Sequence, residues 1–147
     1  MLAIVEFVAV FATTIFTGAA VYINLVEHPA RMGCSTELAA TEWAPSYKRA
    51  TLMQAPLAIL GFLGGSIAWW LGAGLPWLIA AILILAVVPF TLFIIEPKTN
   101  KPLLAPGRDL RSTETRELLV KWGRLHAVRS VLGLIASVIF IWQLVGA

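Results

Sequence analysis

The chain has 147 residues, of which 59% are hydrophobic and 13% charged, with a net charge of +3 and a mean hydropathy of +0.85. Soluble domains are about 45–50% apolar and about 25% charged, so this composition is too apolar for one small soluble core. Secreted disulfide scaffolds, nucleic-acid-binding modules and soluble Rossmann or TIM-barrel enzymes are therefore excluded.

Charged residues are spaced widely enough to leave room for four membrane crossings. No Asp, Glu, Lys or Arg occurs in the 20 residues between Glu6 and Glu27, the 46 between Arg49 and Glu96, or the 18 after Arg129. A bilayer core takes roughly 20 apolar residues per helical span. We therefore predict an all-α, four-helix transmembrane bundle in a single domain, 1–147, with helices at about 2–26, 52–71, 76–95 and 126–145 and a short interfacial helix at about 113–124.

The predicted elements have recognisable boundaries. The first helix lacks the basic n-region of a signal peptide, and its apolar stretch is longer than the apolar core of a signal peptide. We therefore expect the helix to be retained. In the first loop, the mixed segment Ser35–Tyr47 favours a short interfacial helix. Gly72–Pro76 predicts a tight hairpin, and the third helix is expected to stop at Glu96–Pro97. In the third loop, Ser112 or Thr113 is expected to cap the last helix.

The basic residues predict the orientation in the membrane. All 11 Lys and Arg fall in loops one and three or at the adjoining helix ends, and the hairpin and both termini contain none. Because membrane proteins concentrate Lys and Arg on the cytoplasmic side, we predict cytoplasmic loops one and three and both termini outside. We expect the membrane to be a bacterial inner (plasma) membrane. The outer helix ends carry a predicted aromatic belt of Trp69, Trp70, Trp77 and Trp142.

The small residues and the basic residues of the chain predict what the protein contacts. Gly61 and Gly65 form a GxxxG pattern, which favours close packing inside the bundle or, as the alternative, a homo-oligomer through the same face. The basic residues are expected to contact membrane lipids and no nucleic acid. The single cysteine, Cys34, cannot form an intrachain disulfide and is expected to be a small packing residue.

The two histidines lie at the cytoplasmic ends of the first and fourth helices, His28 on one and His126 on the other. Polar groups at this depth are costly unless they face the bundle interior, which predicts a shared cavity. The alternative is that they are interfacial anchors that meet lipid headgroups. Four other polar or aromatic residues lie on the helix faces that carry the histidines or on adjacent faces. They are Tyr22 and Asn24 on the first helix and Trp122 and Arg129 on the fourth.

Other uses of these histidines stay open at this point. His28, His126 and Glu27 supply three metal ligands at most, without HxxH or CxxC spacing. The two histidines also suit axial ligation of a haem in an electron-transfer protein. A proton-coupled exporter would need a midplane acid, but Glu6 lies near the outer end. The remaining alternative is a non-enzymatic assembly or lipid-binding protein that uses the basic third loop.

Three short motifs occur in order at the predicted cytoplasmic face. They are Glu27-His28-Pro29-Ala30-Arg31, Glu96-Pro97-x-x-Asn100-x-x-Leu103 and Trp122-x-x-x-His126-x-x-Arg129. With the four-span plan, they resemble the anthrone oxygenase-like family of integral membrane proteins over nearly the whole chain. The resemblance implies conversion of an anthrone into an anthraquinone with dioxygen and without an established organic cofactor. It points to His28, Asn100, Trp122, His126 and Arg129, with Glu27 and Arg31 beside them.

The implied chemistry suggests a role for each residue. Oxidation of an anthrone requires a base that acts near neutral pH, a cation or amide for the developing enolate oxygen, and an apolar slot for flat rings. Histidine supplies the base, and Arg129 or Asn100 the enolate contact. We expect the two imidazoles to face each other or one cavity, with Asn100 folding back from loop three to cover it. The predicted catalytic residues are His28, His126, Asn100 and Arg129, and those predicted to bind a lipophilic anthrone- or quinol-like substrate are Trp122, Glu27, Arg31, Tyr22 and Asn24.

Overall fold

Four long helices account for most of the chain. In a computed structural model, which describes residues 1–146, they are α1 (Leu2–Met32), α2 (Thr36–Ala73), α3 (Leu75–Leu103) and α4 (Thr113–Val145). Residues 1–146 contain no strand, and each of the four helices is long and apolar enough to cross a membrane. The predicted all-α class with four spans is therefore confirmed, and the chain is an integral membrane protein.

The helices extend beyond the predicted spans at the end that carries loops one and three. α1 continues to Met32, α2 begins at Thr36 instead of near residue 52, and α3 continues to Leu103 instead of stopping at Pro97. α4 is one 33-residue helix, so the segment predicted as an interfacial helix forms its first turns. A helix of that length spans about 50 Å, against about 30 Å of hydrocarbon. The charged motifs therefore lie on helices that project past the apolar core.

Prolines shape α1 and α3 near the candidate residues. Ile23–Glu27 of α1 and Thr91–Asn100 of α3 are π-helical; Pro29 follows the first stretch and Pro97 lies within the second. A proline in a helix interior lacks an N–H group and collides with the carbonyl four residues earlier. The wider π-helical turn relieves that collision, which is why Pro97 does not end α3.

The turns contain the local signals that the sequence predicts. Ser112 caps α4 by accepting a hydrogen bond from the Thr115 N–H at 3.1 Å. Ser35 accepts a bond of 3.3 Å from the Leu38 N–H at the start of α2. In the α2–α3 hairpin, two glycines take φ of +95° and +101°, a region that is open mainly to glycine, at positions 72 and 74.

Small residues allow the helices to approach closely. α1 and α3 each pack against both α2 and α4. A Cβ added to Gly64 would lie 2.8 Å from a main-chain oxygen of α1. Gly61 and Gly65 also face inward, towards Ile84 and Phe140 respectively. The GxxxG residues therefore pack inside this chain's own bundle, as small residues do in membrane helices.

One tryptophan departs from the predicted aromatic belt. Trp69, Trp70 and Trp142 are exposed, but Trp77 is buried, and its ring centroid lies 5.2 Å from that of Phe140. A tryptophan in the first turn of a helix can face either lipid or the core. Its direction depends on the rotation of the helix, which its place in the sequence does not specify.

Candidate functional site

Aromatic rings cluster at the bundle end that carries the basic loops. The ring centroid of Trp122 lies 5.1 Å from that of His28, 4.8 Å from that of His126 and 5.8 Å from that of Trp43. Trp43 stacks in turn on Tyr47 at 5.2 Å. Both histidines are buried. They therefore converge inside the bundle, where both contact the Trp122 indole, instead of pointing outward to headgroups.

His126 is oriented by a side-chain network from α1. Its Nδ1 lies 2.7 Å from the Asn24 Oδ1, which also accepts a hydrogen bond of 2.6 Å from the Ser130 hydroxyl. The Asn24 Nδ2 donates to the Gly123 carbonyl at 3.0 Å, which sets the orientation of the amide. Because an amide oxygen only accepts, His126 Nδ1 carries the hydrogen. In the neutral ring the lone pair is then at Nε2, the nitrogen left for a substrate proton.

His28 has both of its ring nitrogens engaged within the protein. Nε2 lies 3.1 Å from the Leu119 carbonyl oxygen and therefore donates to it. Nδ1 lies 3.4 Å from the Arg31 Nη1, which donates to it. The ring is so close to α4 that a Cβ added to Gly123 would lie 2.6 Å from it. His28 thus joins α1 to α4.

Arg31 links the end of α1 to the start of α2. Its guanidinium forms ion pairs with Glu27 and Glu42 and donates to the Ser46 hydroxyl oxygen at 3.2 Å. The Ser46 hydroxyl in turn donates to Glu27 at 2.5 Å. The Arg31 side chain is 3% exposed, whereas those of Glu27 and Glu42 are 28% and 53% exposed. The network therefore presents two carboxylates at the surface and keeps the cation inside.

Arg129 is a buried cation with few partners. It is 9% exposed, its Nη2 donates to the Gln54 Oε1 at 2.7 Å, and its guanidinium carbon lies 5.7 Å from the centre of the Phe16 ring. Within residues 1–146 it forms no ion pair with a carboxylate, and neither its Nε nor the Gln54 Nε2 has a hydrogen-bond partner. Buried charges and donors are costly without partners. The two free donors therefore favour a ligand with an anionic or electron-rich oxygen.

A small cavity, here called the polar cavity, brings these groups together. Its volume is about 10 Å³, room for about one water molecule. His126, Trp122 and Arg129 contribute to its wall, whereas His28 does not, and its ring packs instead against the main chain of α4. The remaining lining residues are Ile23, Ser46, Tyr47, Ala50, Thr51 and Gln54.

Two larger spaces adjoin the polar cavity. The α1/α2 groove has a volume of about 550 Å³, within the range of roughly 300–1,000 Å³ that is usual for small-molecule sites. The α2/α3 pocket is mainly apolar and has a volume of about 110 Å³. Gln54 lines both of these spaces and the polar cavity. The groove is lined by Ala19, Tyr22, Ile23, Glu27, Glu42, Pro45, Ser46, Arg49, Ala50, Met53 and Gln54.

Asn100 does not cover the cavity in the way the sequence predicts. It belongs to α3, which continues to Leu103, and is therefore not on a loop that could fold back. Its Nδ2 donates to the Glu96 carboxylate at 2.9 Å, and the Tyr47 hydroxyl donates to the same oxygen at 3.1 Å. Asn100 is fully buried and does not line the cavity, but it shares its Glu96 partner with Tyr47, which does.

The residues predicted to bind substrate divide into two sets. Tyr22 and Glu27 line the α1/α2 groove, and Trp122 lines the polar cavity. Asn24 and Arg31 instead hold other side chains in place, Asn24 the imidazole of His126 and Arg31 the carboxylates of the groove rim. Neither Asn24 nor Arg31 lines the groove or the polar cavity.

The two histidines do not form a metal or haem site in this arrangement. The Trp122 ring packs against both imidazoles, and the His28 Nε2 donates to a main-chain carbonyl. No group of three or more His, Cys, Asp or Glu side chains that could hold a metal ion occurs in the described part of the chain, residues 1–146. The packing of these rings leaves no room for a macrocycle between them, so the donor set does not fit axial haem ligation.

Gln54 is the candidate residue that the sequence motifs do not reveal. It is the single Asn or Gln between Arg49 and Glu96, a stretch that is otherwise rich in apolar residues. A polar side chain within a membrane span usually faces the bundle interior or a cavity. That isolated amide was the available signal. Its contact with Arg129 could not be predicted, because the two residues lie on different helices.

The fold and the site define a small integral membrane protein with four spanning helices and a buried polar site next to a lateral groove. The chain belongs to the anthrone oxygenase family, whose model matches residues 43–139.

Three curated relatives come from fungi and match different shares of the chain. Anthrone oxygenase tpcL of Aspergillus fumigatus is 39% identical over 75 residues, which are 50% of this chain and 47% of that protein. Anthrone oxygenase ptaC of Pestalotiopsis fici is 30% identical over 118 residues, or 68% and 80% of the two chains. Anthrone oxygenase nsrD of Aspergillus novofumigatus is 44% identical over 59 residues, or 38% and 36%. The match thus covers about half or less of two of these relatives. No solved structure matches the chain.

Proposed function

We propose that this protein is an oxygenase that oxidises a lipophilic, anthrone-like aromatic substrate with dioxygen. Membership of the family and the names of the three relatives support the type of reaction. The observation that carries the proposal is the polar cavity. There the available Nε2 of His126 and the Arg129 guanidinium, which lacks a carboxylate partner among the described residues, meet beside a groove large enough for fused rings.

The proposed reaction balances with dioxygen as the only oxidant. A base removes one proton from the methylene carbon of the anthrone, and the resulting aromatic enolate donates its electrons to dioxygen. The new carbon–oxygen bond gives a hydroperoxide once the distal oxygen takes back a proton. The second methylene hydrogen then leaves as a proton and the O–O bond breaks, so that the distal OH departs as water and a carbonyl group remains. One oxygen atom enters the product and the other leaves as water.

His126 is the base in this proposal, and Arg129 stabilises the anion. Asn24 holds the His126 ring with Nε2 free, and a positioned base contributes typically 10²–10⁴-fold to the rate. Arg129 lies in a buried site, where a donor aimed at a developing oxyanion acts more strongly than in water. Trp122 supplies a flat apolar wall beside both groups.

The substrate rings are proposed to lie in the α1/α2 groove. The polar cavity holds about one water molecule and is too small for fused rings, whereas the groove is large enough for them. The two spaces share Ile23, Ser46, Ala50 and Gln54, so the reacting edge of the rings would meet the cavity there. Tyr22 and Met53 are exposed on membrane-spanning helices, which suits entry from the lipid.

The groove is proposed to open at the cytoplasmic leaflet. Its rim carries Glu27, Glu42 and Arg49 at the bundle end where the basic loops lie, and basic loops favour the cytoplasmic side. The bacterial inner membrane stays a prediction, and the three relatives named above are fungal. Contacts with membrane lipids, the absence of a nucleic-acid partner and a homo-oligomer also stay predictions.

Turnover by the two histidine variants tests the proposal. Anthrone is added to purified protein in lipid nanodiscs, and oxygen consumption and quinone absorbance are measured together. We expect His126→Gln to lower kcat by about 10²–10⁴-fold, because the base is lost. His28→Gln should lower stability but leave most of kcat in the folded fraction, since His28 does not line the cavity.

Empty nanodiscs give the rate of spontaneous anthrone oxidation, which is subtracted. Oxygen consumption by the wild type that does not exceed this rate would reject the oxygenase proposal. Equal losses of kcat in both histidine variants, at equal folded fractions, would instead reject His126 as the base. If both variants keep the wild-type rate, the cavity does not carry the reaction.

A further inference from the structure

The α2/α3 pocket is a second space that reaches the buried site. Its apolar walls come from Phe16, Ala55, Ala58, Val87, Val88 and Leu92. Ala55 and Leu92 are exposed on membrane-spanning helices, so the pocket opens towards lipid. It lies between α2 and α3, whereas the groove proposed for the aromatic rings lies between α1 and α2.

The inner end of this pocket is polar. Arg129, Gln54 and Thr51 line both the pocket and the polar cavity. Gln54 is 1% exposed and Arg129 is 9% exposed, and each retains one side-chain nitrogen without a hydrogen-bond partner in residues 1–146. A ligand that enters through the apolar walls therefore arrives beside a buried cation and a free amide.

The volume of the pocket limits what it can hold. At about 110 Å³ it is smaller than an engineered apolar cavity of about 150 Å³ that takes up benzene or xenon. Three fused rings do not fit, and the apolar walls disfavour water. Dioxygen is a small apolar molecule that dissolves more readily in hydrocarbon than in water. The pocket has the size, lining and lipid-facing opening that such a molecule requires.

We propose that the α2/α3 pocket is the entry and docking site for dioxygen, separate from the groove for the aromatic substrate. This inference rests on the proposed oxygenase function. The two reactants would approach Gln54 from different sides, and neither would have to pass the other. A lipid-facing entry would also draw dioxygen from the membrane interior, where it is concentrated.

The position of Arg129 suits the movement of charge in this step. The enolate carries one negative charge before dioxygen adds. As the carbon–oxygen bond forms, the electron pair of the enolate moves into dioxygen, and the negative charge passes to the distal peroxide oxygen. A cation at the junction of pocket and cavity can attract the charge in both locations. The proton that His126 removed from the carbon then neutralises the peroxide oxygen.

Xenon binding tests the pocket without turnover. Xenon is apolar and close in size to dioxygen, and alanine and valine methyl NMR signals report its position. Under xenon pressure we expect shifts at Ala58 and Val87, which line the pocket, and none at Ala136, which is buried outside it. Ala55→Trp, which fills the mouth of the pocket, should abolish the shifts.

Steady-state kinetics test the function of the pocket. Ala55→Trp should raise KM for dioxygen several-fold and leave KM for the aromatic substrate unchanged. Met53→Trp, on the same helix but lining the groove, should do the reverse. Val88→Phe is a second pocket variant, in case the first folds poorly.

The possible failures are distinguishable. Normal turnover with no xenon shifts at Ala58 or Val87, or with an unchanged KM for dioxygen in both pocket variants, would overturn the dioxygen site alone. Xenon shifts with no turnover above the spontaneous rate in the wild type would reject the oxygenase function and, with it, dioxygen as the ligand.

Discussion

Replacing Arg129 with methionine should separate activity from stability. Within residues 1–146, Arg129 has one hydrogen bond, to Gln54 at 2.7 Å, and loss of this bond costs about 1.5–3 kcal/mol because the donor is charged. The contact with Phe16 adds about 0.5–2 kcal/mol. Against these losses, methionine avoids the several kcal/mol that desolvation of a buried ion costs. The contributions offset, so we expect the free energy of unfolding to change by no more than about 2 kcal/mol.

Turnover should respond much more strongly to the same substitution. Removing one preorganised donor to an oxyanion typically lowers kcat by about 10²–10³-fold, or about 2.7–4 kcal/mol in activation free energy. Activity is measured as oxygen consumption with anthrone, and thermal unfolding is measured on the same purified protein. Combining Arg129→Met with Gln54→Leu removes the amide left without its partner and should recover stability without recovering activity.

Phe140→Ala provides the matched control for this experiment. Phe140 is fully buried in the core and lines neither the polar cavity nor the groove. Its truncation should cost about 3–5 kcal/mol of stability with little effect on kcat per folded molecule. If Arg129→Met keeps the wild-type kcat, or unfolds as readily as Phe140→Ala, the assignment of Arg129 as a costly anion-binding group is wrong.

Five further substitutions, two of them controls, test other parts of the structure. Arg31→Met should lower stability by about 1.5–3 kcal/mol because it removes the charged hydrogen bonds of a buried guanidinium to Glu27 and Glu42, whereas Arg111→Met breaks an exposed pair worth about 0–1 kcal/mol; equal melting temperatures would contradict this. Gly64→Ala should destabilise by about 1–3 kcal/mol, since its Cβ would meet main-chain atoms of α1. Gly18→Ala should be neutral or slightly stabilising in a thermal melt, because a Cβ added there would have no atom of another helix in residues 1–146 within 4 Å. A cysteine at position 75, in the α2–α3 hairpin of a cysteine-free variant, should react with an impermeant maleimide from outside intact cells; labelling only after permeabilisation would reverse the proposed topology.

The sequence contains enough information for the membrane plan because hydropathy and charge act locally. A stretch free of charged residues either crosses the bilayer or is buried, and the gaps at 7–26, 50–95 and 130–147 are too long for a small soluble core. Capping is also local, which is why Ser112 could be predicted. The positions where the helices end cannot be predicted from nearby sequence in the same way. Charged residues and Pro97 suggest that α3 stops, but packing and a wide turn carry it on to Leu103.

The sequence also indicated that polar side chains gather at one end of the bundle. His126 and Arg129 share a helix face with Trp122, and all three line one cavity. His28 occupies an equivalent depth on α1, but its ring nitrogens bond to Leu119 and Arg31. The composition of a motif does not distinguish a histidine that faces a cavity from one that joins two helices.

Only the tertiary structure decided which polar groups have partners and which do not. Gln54 and Arg129 are 75 residues apart and meet because α2 and α4 pack in one bundle at one particular rotation. That rotation depends on contacts such as Gly64 against α1 and Gly123 against His28, which involve pairs of helices and have no signature along one of them. The donors of Gln54 and Arg129 that lack a partner among residues 1–146 arise from the same packing, as do the groove and the pocket that reach Gln54.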